Sequence, residues 1–294
     1  MSNLALYACA VLIWGSTWLA IKFQLGTVAP AVSVAWRFGA AALMLFALAR
    51  LRRQPLRFDL RTHGWLALQG LLLYSVGYVL IYLAERSLVS GLVAVTFSLI
   101  TLCNIGFQRL FFAVPPRPHV LGGALLGICG VALLFWPDLR EFSPAGERSA
   151  GLLACTLATV VASLGNMAAM RNHRHGIAVV PGNAWAMAYG ALFVAAYVAA
   201  SGQSFSFEAT LPYVASLVYL AAFGSVAAFL CYLTLLGRIG VDRAGYTGVA
   251  TPVVAMGLSS WFERLPWNGW IAGGMALCLA GNLLVLARVG PARA

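Results

Sequence analysis

Any chemistry in this 294-residue chain rests on few groups, because Asp, Glu, Lys and Arg together make up only 9% of it. Lys22 is the only lysine, so no Gly-Lys pair exists to build a Walker-type phosphate loop. HExxH and GxSxG are absent, which leaves zinc-protease and serine-hydrolase chemistry without a motif. Cys9, Cys103, Cys129, Cys155, Cys231 and Cys278 all lie in apolar stretches with no CxxC pair, and they read as packed thiols. His63, His119, His173 and His175 fall in short polar connections. No metal or cofactor is expected. The one ionised side chain well inside an apolar stretch is Arg37, which fits either a structural anchor for neighbouring helices or a group that attracts a substrate carboxylate.

Binding of an uncharged solute is what the spacing does favour. Tyr74, Tyr78 and Tyr82 recur every four residues, which places them on one side of a helix. Phe97, Thr101, Asn104 and Gln108 repeat the pattern, as do Trp185, Tyr189 and Phe193. Thr156, Thr159, Ser163 and Asn166 form a polar stripe, and Trp14 and Trp18 share a face. From these faces the candidate substrate-binding residues are Trp14, Trp18, Tyr78, Tyr82, Phe97, Thr101, Ser163, Asn166, Trp185 and Tyr189. Aromatic faces with a few hydroxyls and amides suit a neutral solute that has a flat apolar side chain and a polar head. Tyr74, Tyr213 and Trp267 lie nearer stretch ends, where aromatic residues commonly form interfacial belts.

The elements that carry these faces follow from composition. The chain is 62% hydrophobic with a mean hydropathy of +0.87, whereas a soluble domain carries roughly 25% charged residues. Ten apolar stretches approach the roughly 20 residues that cross a bilayer. They are 4–22, 30–49, 64–84, 88–111, 119–136, 150–170, 178–200, 211–236, 244–262 and 267–287. The first lacks a basic leader and is too long for a signal h-region, so it reads as a retained helix. Of the 19 Lys and Arg, 13 fall at one set of span ends and 5 at the other, with Arg37 inside a span. The richer side, which includes Arg50–Arg61, Arg117, Arg243, Arg288 and Arg293, is cytoplasmic by the positive-inside rule, as are both termini. The Arg50–Arg61 cluster faces anionic lipid on this reading, and no nucleic-acid partner is expected. Lys22, Arg86, Arg140, Arg148 and Arg264 fall at the outer ends, with Glu85, Glu208 and Glu263, which leaves no carboxylate at the midplane for a proton relay.

The halves are related at an offset near 150. Leu121–Leu134 reads LGGALLGICGVALL and Ala272–Val285 reads AGGMALCLAGNLLV, so Gly122, Gly123 and Gly130 fall on Gly273, Gly274 and Gly281. Tyr82 matches Tyr232, and Gly15 matches Gly165. Five spans per half is odd, so the second copy (149–294) enters the membrane opposite to the first (1–148), an inverted arrangement that recurs in transporters. Pro252 lacks an N–H and crowds the carbonyl of Gly248, which predicts a hinge there, with Gly245 and Gly257 permissive. The fourth span has no Pro at the matching position near Leu99. Gly123/Gly127 and Ala276/Ala280 are small-xxx-small faces, usable within a monomer or across a homodimer.

Trp14-Gly15-Ser16-Thr17, Trp36-Arg37-Phe38-Gly39-Ala40-Ala41 and the glycine-rich fifth and tenth spans resemble the drug/metabolite transporter superfamily, and within it the ten-helix EamA-type permeases. The resemblance is strongest to bacterial exporters of aromatic and other neutral amino acids. It implies an all-α integral membrane protein whose ten helices surround a central cavity, residing in the bacterial inner membrane and exporting solute from the cytoplasm by alternating access. A drug or other small-metabolite exporter is the alternative within transport. A membrane-embedded enzyme is the alternative of another class, although the sequence offers no catalytic constellation for it.

Overall fold

A computed structural model describes residues 1–113, 118–136, 146–232, 234–235, 238 and 247–286. Arg117, Arg140, Arg243, Gly245, Arg288 and Arg293, used in the topology and hinge readings above, lie outside the described residues. The described chain is helical throughout: α1 (Asn3–Lys22), α2 (Pro30–Leu51), α3 (Leu60–Gln69), a π-helical segment (Gly70–Val76), α4 (Gly77–Ser87), α5 (Ser90–Phe97), α6 (Ile100–Phe112) and α7 (Pro118–Leu134). Then follow α8 (Glu147–Arg174), α9 (Val179–Ala200), α10 (Leu211–Val218), a second π-helical segment (Tyr219–Ala227), α11 (Thr247–Phe262) and α12 (Gly269–Leu286). Among the described residues seven helical stretches are long and apolar enough to cross a membrane, the longest being Leu60–Ser87 and Glu147–Arg174 at 28 residues each. The predicted fifth, ninth and tenth spans correspond to α7, α11 and α12, of 17, 16 and 18 residues among those described.

Local sequence explains several boundaries. Asp59 accepts from the Thr62 amide at 3.1 Å and so caps α3, and the Thr62 side chain together with that amide holds its exposed carboxyl below the usual carboxylate range. Pro30 occupies the first turn of α2, where its missing N–H costs nothing. The start of α5 is capped from elsewhere: Ser90 N donates to both carboxylate oxygens of Glu263 at 3.2 and 3.0 Å, and Gly91 N donates to Ser259 Oγ at 2.7 Å. The Ser90 and Ser259 hydroxyls also donate to Glu263.

Pro252, where a hinge is expected, lies inside a helix, and an interruption falls in the fourth span. Helix α11 runs unbroken through Pro252, which is buried, while Gly248 is exposed. The fourth span, which has no proline, breaks between α5 and α6 at Ser98–Leu99. Here Leu99 N reaches Thr96 O at 3.1 Å and Leu102 N reaches Leu99 O at 2.9 Å, a tighter turn. Two hydroxyls accompany it: Thr96 Oγ1 donates to Leu92 O at 2.9 Å and Ser98 Oγ to Val95 O at 2.6 Å, bonds that compete for helix carbonyls. Asn282 Nδ2 then donates to Ser98 Oγ at 3.2 Å.

The chain divides into two compact units, each drawing segments from both predicted repeats. The first comprises Met1–Leu19, Ser87–Leu153 and the described part of Ala228–Ala294. In it α7 packs on α12 and α5 on α11, the fifth span against the tenth and the fourth against the ninth. The α7–α12 seam is backbone against backbone: a Cβ added at Gly130 would lie 2.6 Å from Cys278 Sγ and 2.7 Å from Gly274 O. A Cβ at Gly281 would lie 2.6 Å from Gly123 O. Thus Gly123 and Gly127 are used within the chain. On α12 the face in use is Gly274, Cys278 and Gly281, and the predicted Ala276/Ala280 face is exposed, because only a residue without Cβ, or a thin thiol, allows this approach.

The second unit comprises Ala20–Arg86 and Ala154–Ala227. Helix α2 packs on α9, the second span against the seventh, and α9 also lies on the first π-helical segment. A Cβ at Gly70 would meet Ala186 O at 2.3 Å, and one at Gly190 would meet Tyr74 Cβ at 2.7 Å. An amide network seals this unit. Gln69 Nε2 and Tyr74 Oη both donate to Asn183 Oδ1, at 2.9 and 2.8 Å, and Asn172 Nδ2 donates to Gln69 Oε1 at 3.0 Å. Tyr74 and Tyr213 are therefore not belt residues: they are 2% and 1% exposed, and Tyr213 Oη pairs with Ser33 Oγ at 2.9 Å. Their rings are covered by neighbouring helices, so each hydroxyl needs a protein partner. Trp267 is 47% exposed, as a belt residue would be.

Two substitutions test these seams. Gly130→Val is expected to cost about 1–3 kcal/mol by overpacking, read as a lower midpoint in fluorescence-detected thermal unfolding, whereas Ala276→Val changes little. Asn183→Leu strips two buried donors of their acceptor at about 1–3 kcal/mol each, so its midpoint should fall further than that of Tyr74→Phe.

Candidate functional site

The second unit gathers seven of the singled-out residues. Arg37, on α2, is buried, and its Nε donates to Ser225 Oγ at 3.3 Å. Ser225 sits in the second π-helical segment, where its own hydroxyl donates to Leu220 O at 3.0 Å and leaves a lone pair toward Arg37. The guanidinium carbon lies 4.6 Å from the Tyr78 ring centroid and 5.2 Å from that of Phe38, so aromatic faces cover the cation. Phe38 in turn meets Tyr78 at 4.7 Å and Tyr74 at 5.1 Å. Tyr82 is fully buried and donates to Gln24 Oε1 at 2.7 Å. The three tyrosines predicted on one helix face are linked through shared neighbours, Phe38 between Tyr74 and Tyr78 and Arg37 between Tyr78 and Tyr82, while each hydroxyl has its own environment. Tyr74 lies within the π-helical segment Gly70–Val76 and the other two follow it.

Trp185 and Tyr189 stack on each other at 5.9 Å and enclose His63, whose ring lies 4.7 Å from Trp185. Tyr189 Oη pairs with His63 Nδ1 at 3.0 Å, and Trp185 Nε1 donates to Leu56 O at 2.9 Å. This group covers the connection between α2 and α3. His63, expected in a polar connection, belongs instead to the first turn of α3 inside an aromatic cluster. Ser163 is buried and Asn166 half-buried on α8, and both are engaged by neighbours. A cavity of about 390 Å³ in the same unit is lined by residues including Thr27, Val79, Leu83, Arg86 and Tyr197.

The first unit holds the rest. Trp18 meets Phe97 at 5.4 Å, just before the break in the fourth span, and Thr101 lies half-buried just after it. Trp14 meets Phe229 at 5.4 Å and Tyr232 at 5.3 Å. Pro252 and Gly248 belong to this unit as well.

Several polar residues escaped the sequence reading. Gln24 lies beyond α1, where periodicity gives no signal, yet it is 1% exposed. Glu85, read as an outer-end acid, is fully buried, and Lys22 Nζ donates to its backbone carbonyl. Gln69, Asn172, Asn183 and Ser225 each look like an isolated polar residue in an apolar run. Their roles come from partners 103, 109, 114 or 188 residues away.

Comparison with known proteins bears on what this arrangement serves. YedA of Escherichia coli strain K12, named as an uncharacterized inner membrane transporter, is 28% identical over 92% of this chain and 86% of its own length. Protein PagO of Salmonella typhimurium strain LT2 is 22% identical, over 87% of this chain and 83% of its own. A solved chain described only as a crystal structure of protein superposes with a TM-score of 0.70 at 20% identity, covering 97% of this chain and 96% of that one, which speaks to fold alone. The family model for EamA-like transporters matches residues 1–136 and 149–287. A multi-pass helical chain matched over nearly its whole length in this way belongs to the EamA-like transporter family.

Proposed function

We propose that this transporter is an inner-membrane secondary permease that exports aromatic and other neutral amino acids from the cytoplasm by alternating access, with both termini cytoplasmic. The observation that carries the solute class is the Tyr78 ring, half-buried between Phe38 and the Arg37 cation at 4.7 and 4.6 Å. An aromatic surface beside a buried cation suits a zwitterion with a flat side chain.

The ten-span inverted repeat, 1–148 and 149–294, has three supports. The family model matches twice, once in each half. Repeat-equivalent helices pack on each other: α2 on α9, α5 on α11 and α7 on α12. The third and eighth spans each carry a π-helical segment, Gly70–Val76 and Tyr219–Ala227, at the same offset near 150. Two copies with one geometry, exchanged between the repeats, provide the two states that alternating access requires.

Purified protein in liposomes preloaded with unlabelled phenylalanine is expected to accumulate labelled phenylalanine faster than protein-free liposomes, without ATP. Tyr78→Ala should slow phenylalanine and tryptophan several-fold more than alanine, since one aromatic pair contributes roughly 0.5–1.5 kcal/mol. No counterflow of any neutral amino acid would refute the solute class, and equal losses for all would make Tyr78 a packing residue.

A further inference from the structure

We propose that Arg37 and Gln24 form a carboxylate-binding subsite. This rests on the transport reading above and names the part of the solute that the second unit holds. The argument starts from donors without acceptors. Arg37 is 2% exposed and Gln24 is 1% exposed, yet Arg37 Nη1 and Gln24 Nε2 have no hydrogen-bond partner. Buried polar groups in a folded protein are almost always paired, and a buried guanidinium is stable only when its charge is met.

The rest of each side chain is held firmly. Arg37 uses Nε on Ser225 and sets its plane against Tyr78, while Gln24 uses Oε1 on the Tyr82 hydroxyl. The Tyr82 hydroxyl that Gln24 accepts from is also hydrogen-bonded by the Arg37 guanidinium, so the two unclaimed donors belong to one cluster around it. Among the described residues Arg37 makes no ion pair, although the buried Glu85 also neighbours Tyr82. Arg37 donates from Nε to Ser225 and hydrogen-bonds the Tyr82 hydroxyl, while its Nη1 keeps no partner in the same cluster as the Gln24 amide N–H and against an aromatic ring. A carboxylate has two oxygens for two such donors, and its charge meets that of Arg37.

The test compares phenylalanine with phenylalaninol, which keeps the ring and the amine but has a hydroxymethyl group in place of the carboxylate. On the purified full-length protein, phenylalanine is expected to bind roughly tenfold or more tightly, the size of one charge-assisted hydrogen bond. In Gln24→Leu and Arg37→Lys that ratio should collapse toward unity. Equal binding of the two compounds by the wild type, or an unchanged ratio in Gln24→Leu, overturns the subsite, and Gln24→Leu decides the matter if Arg37→Lys does not fold. A second arm uses acetate against chloride at equal ionic strength. Acetate should raise the thermal midpoint of the wild type and not that of Gln24→Leu. Equal effects of the two anions, or no effect on the wild type, overturn a carboxylate site. A Gln24-dependent acetate effect without binding of any neutral amino acid refutes the solute reading and retains the subsite.

Discussion

Each unit depends on backbones approaching to contact distance at glycine. Between helices in hydrocarbon there is little hydrophobic gain, because lipid tails are as apolar as leucine, so association rests on close packing and on hydrogen bonds between helices. The α7–α12 seam at Gly123, Gly130, Gly274 and Gly281 provides the packing in one unit, and the Gly70–Gly190 approach provides it in the other. Both seams join repeat-equivalent regions or lie beside a π-helical segment. Once helices are this close, side chains on neighbouring faces are brought within hydrogen-bonding reach. The Asn183–Gln69–Tyr74–Asn172 network follows from that closeness.

The same closeness accounts for the chemistry available near Arg37. A cation in a membrane protein interior persists only where protein supplies its partners. Here Ser225, within the second π-helical segment, hydrogen-bonds it, and Tyr78, two residues after the first, covers it. Wide turns are known to mark functional positions in helices. In this protein they lie at or beside the hydroxyl and the ring that meet the one arginine expected inside a span.

The fourth and ninth spans carry two different local disturbances of a helix backbone. Pro252 removes an N–H, yet α11 accommodates it within a continuous helix. Thr96 and Ser98, each unremarkable alone, donate to helix carbonyls at the Ser98–Leu99 break of the fourth span, where Asn282 donates to Ser98. Proline acts through its own backbone. The serine and threonine effect depends on which rotamer the neighbours allow, and sequence does not specify that.

Hydropathy alone determined that the chain is a multi-pass helical membrane protein, because a hydrocarbon solvent admits few backbone solutions and the length of each apolar run sets a span. The glycine-rich character of the two stretches that form the α7–α12 seam was legible, as was Arg37 as a cation inside an apolar stretch. Only the tertiary structure decided which small face α12 uses, which partners Tyr74, Tyr78 and Tyr82 meet, and that Gln24 and Glu85 are buried. Each of these turns on a contact between residues far apart in the chain or on a change in helix phase. A one-dimensional pattern records the residue type at a position but not the neighbour that three-dimensional packing supplies.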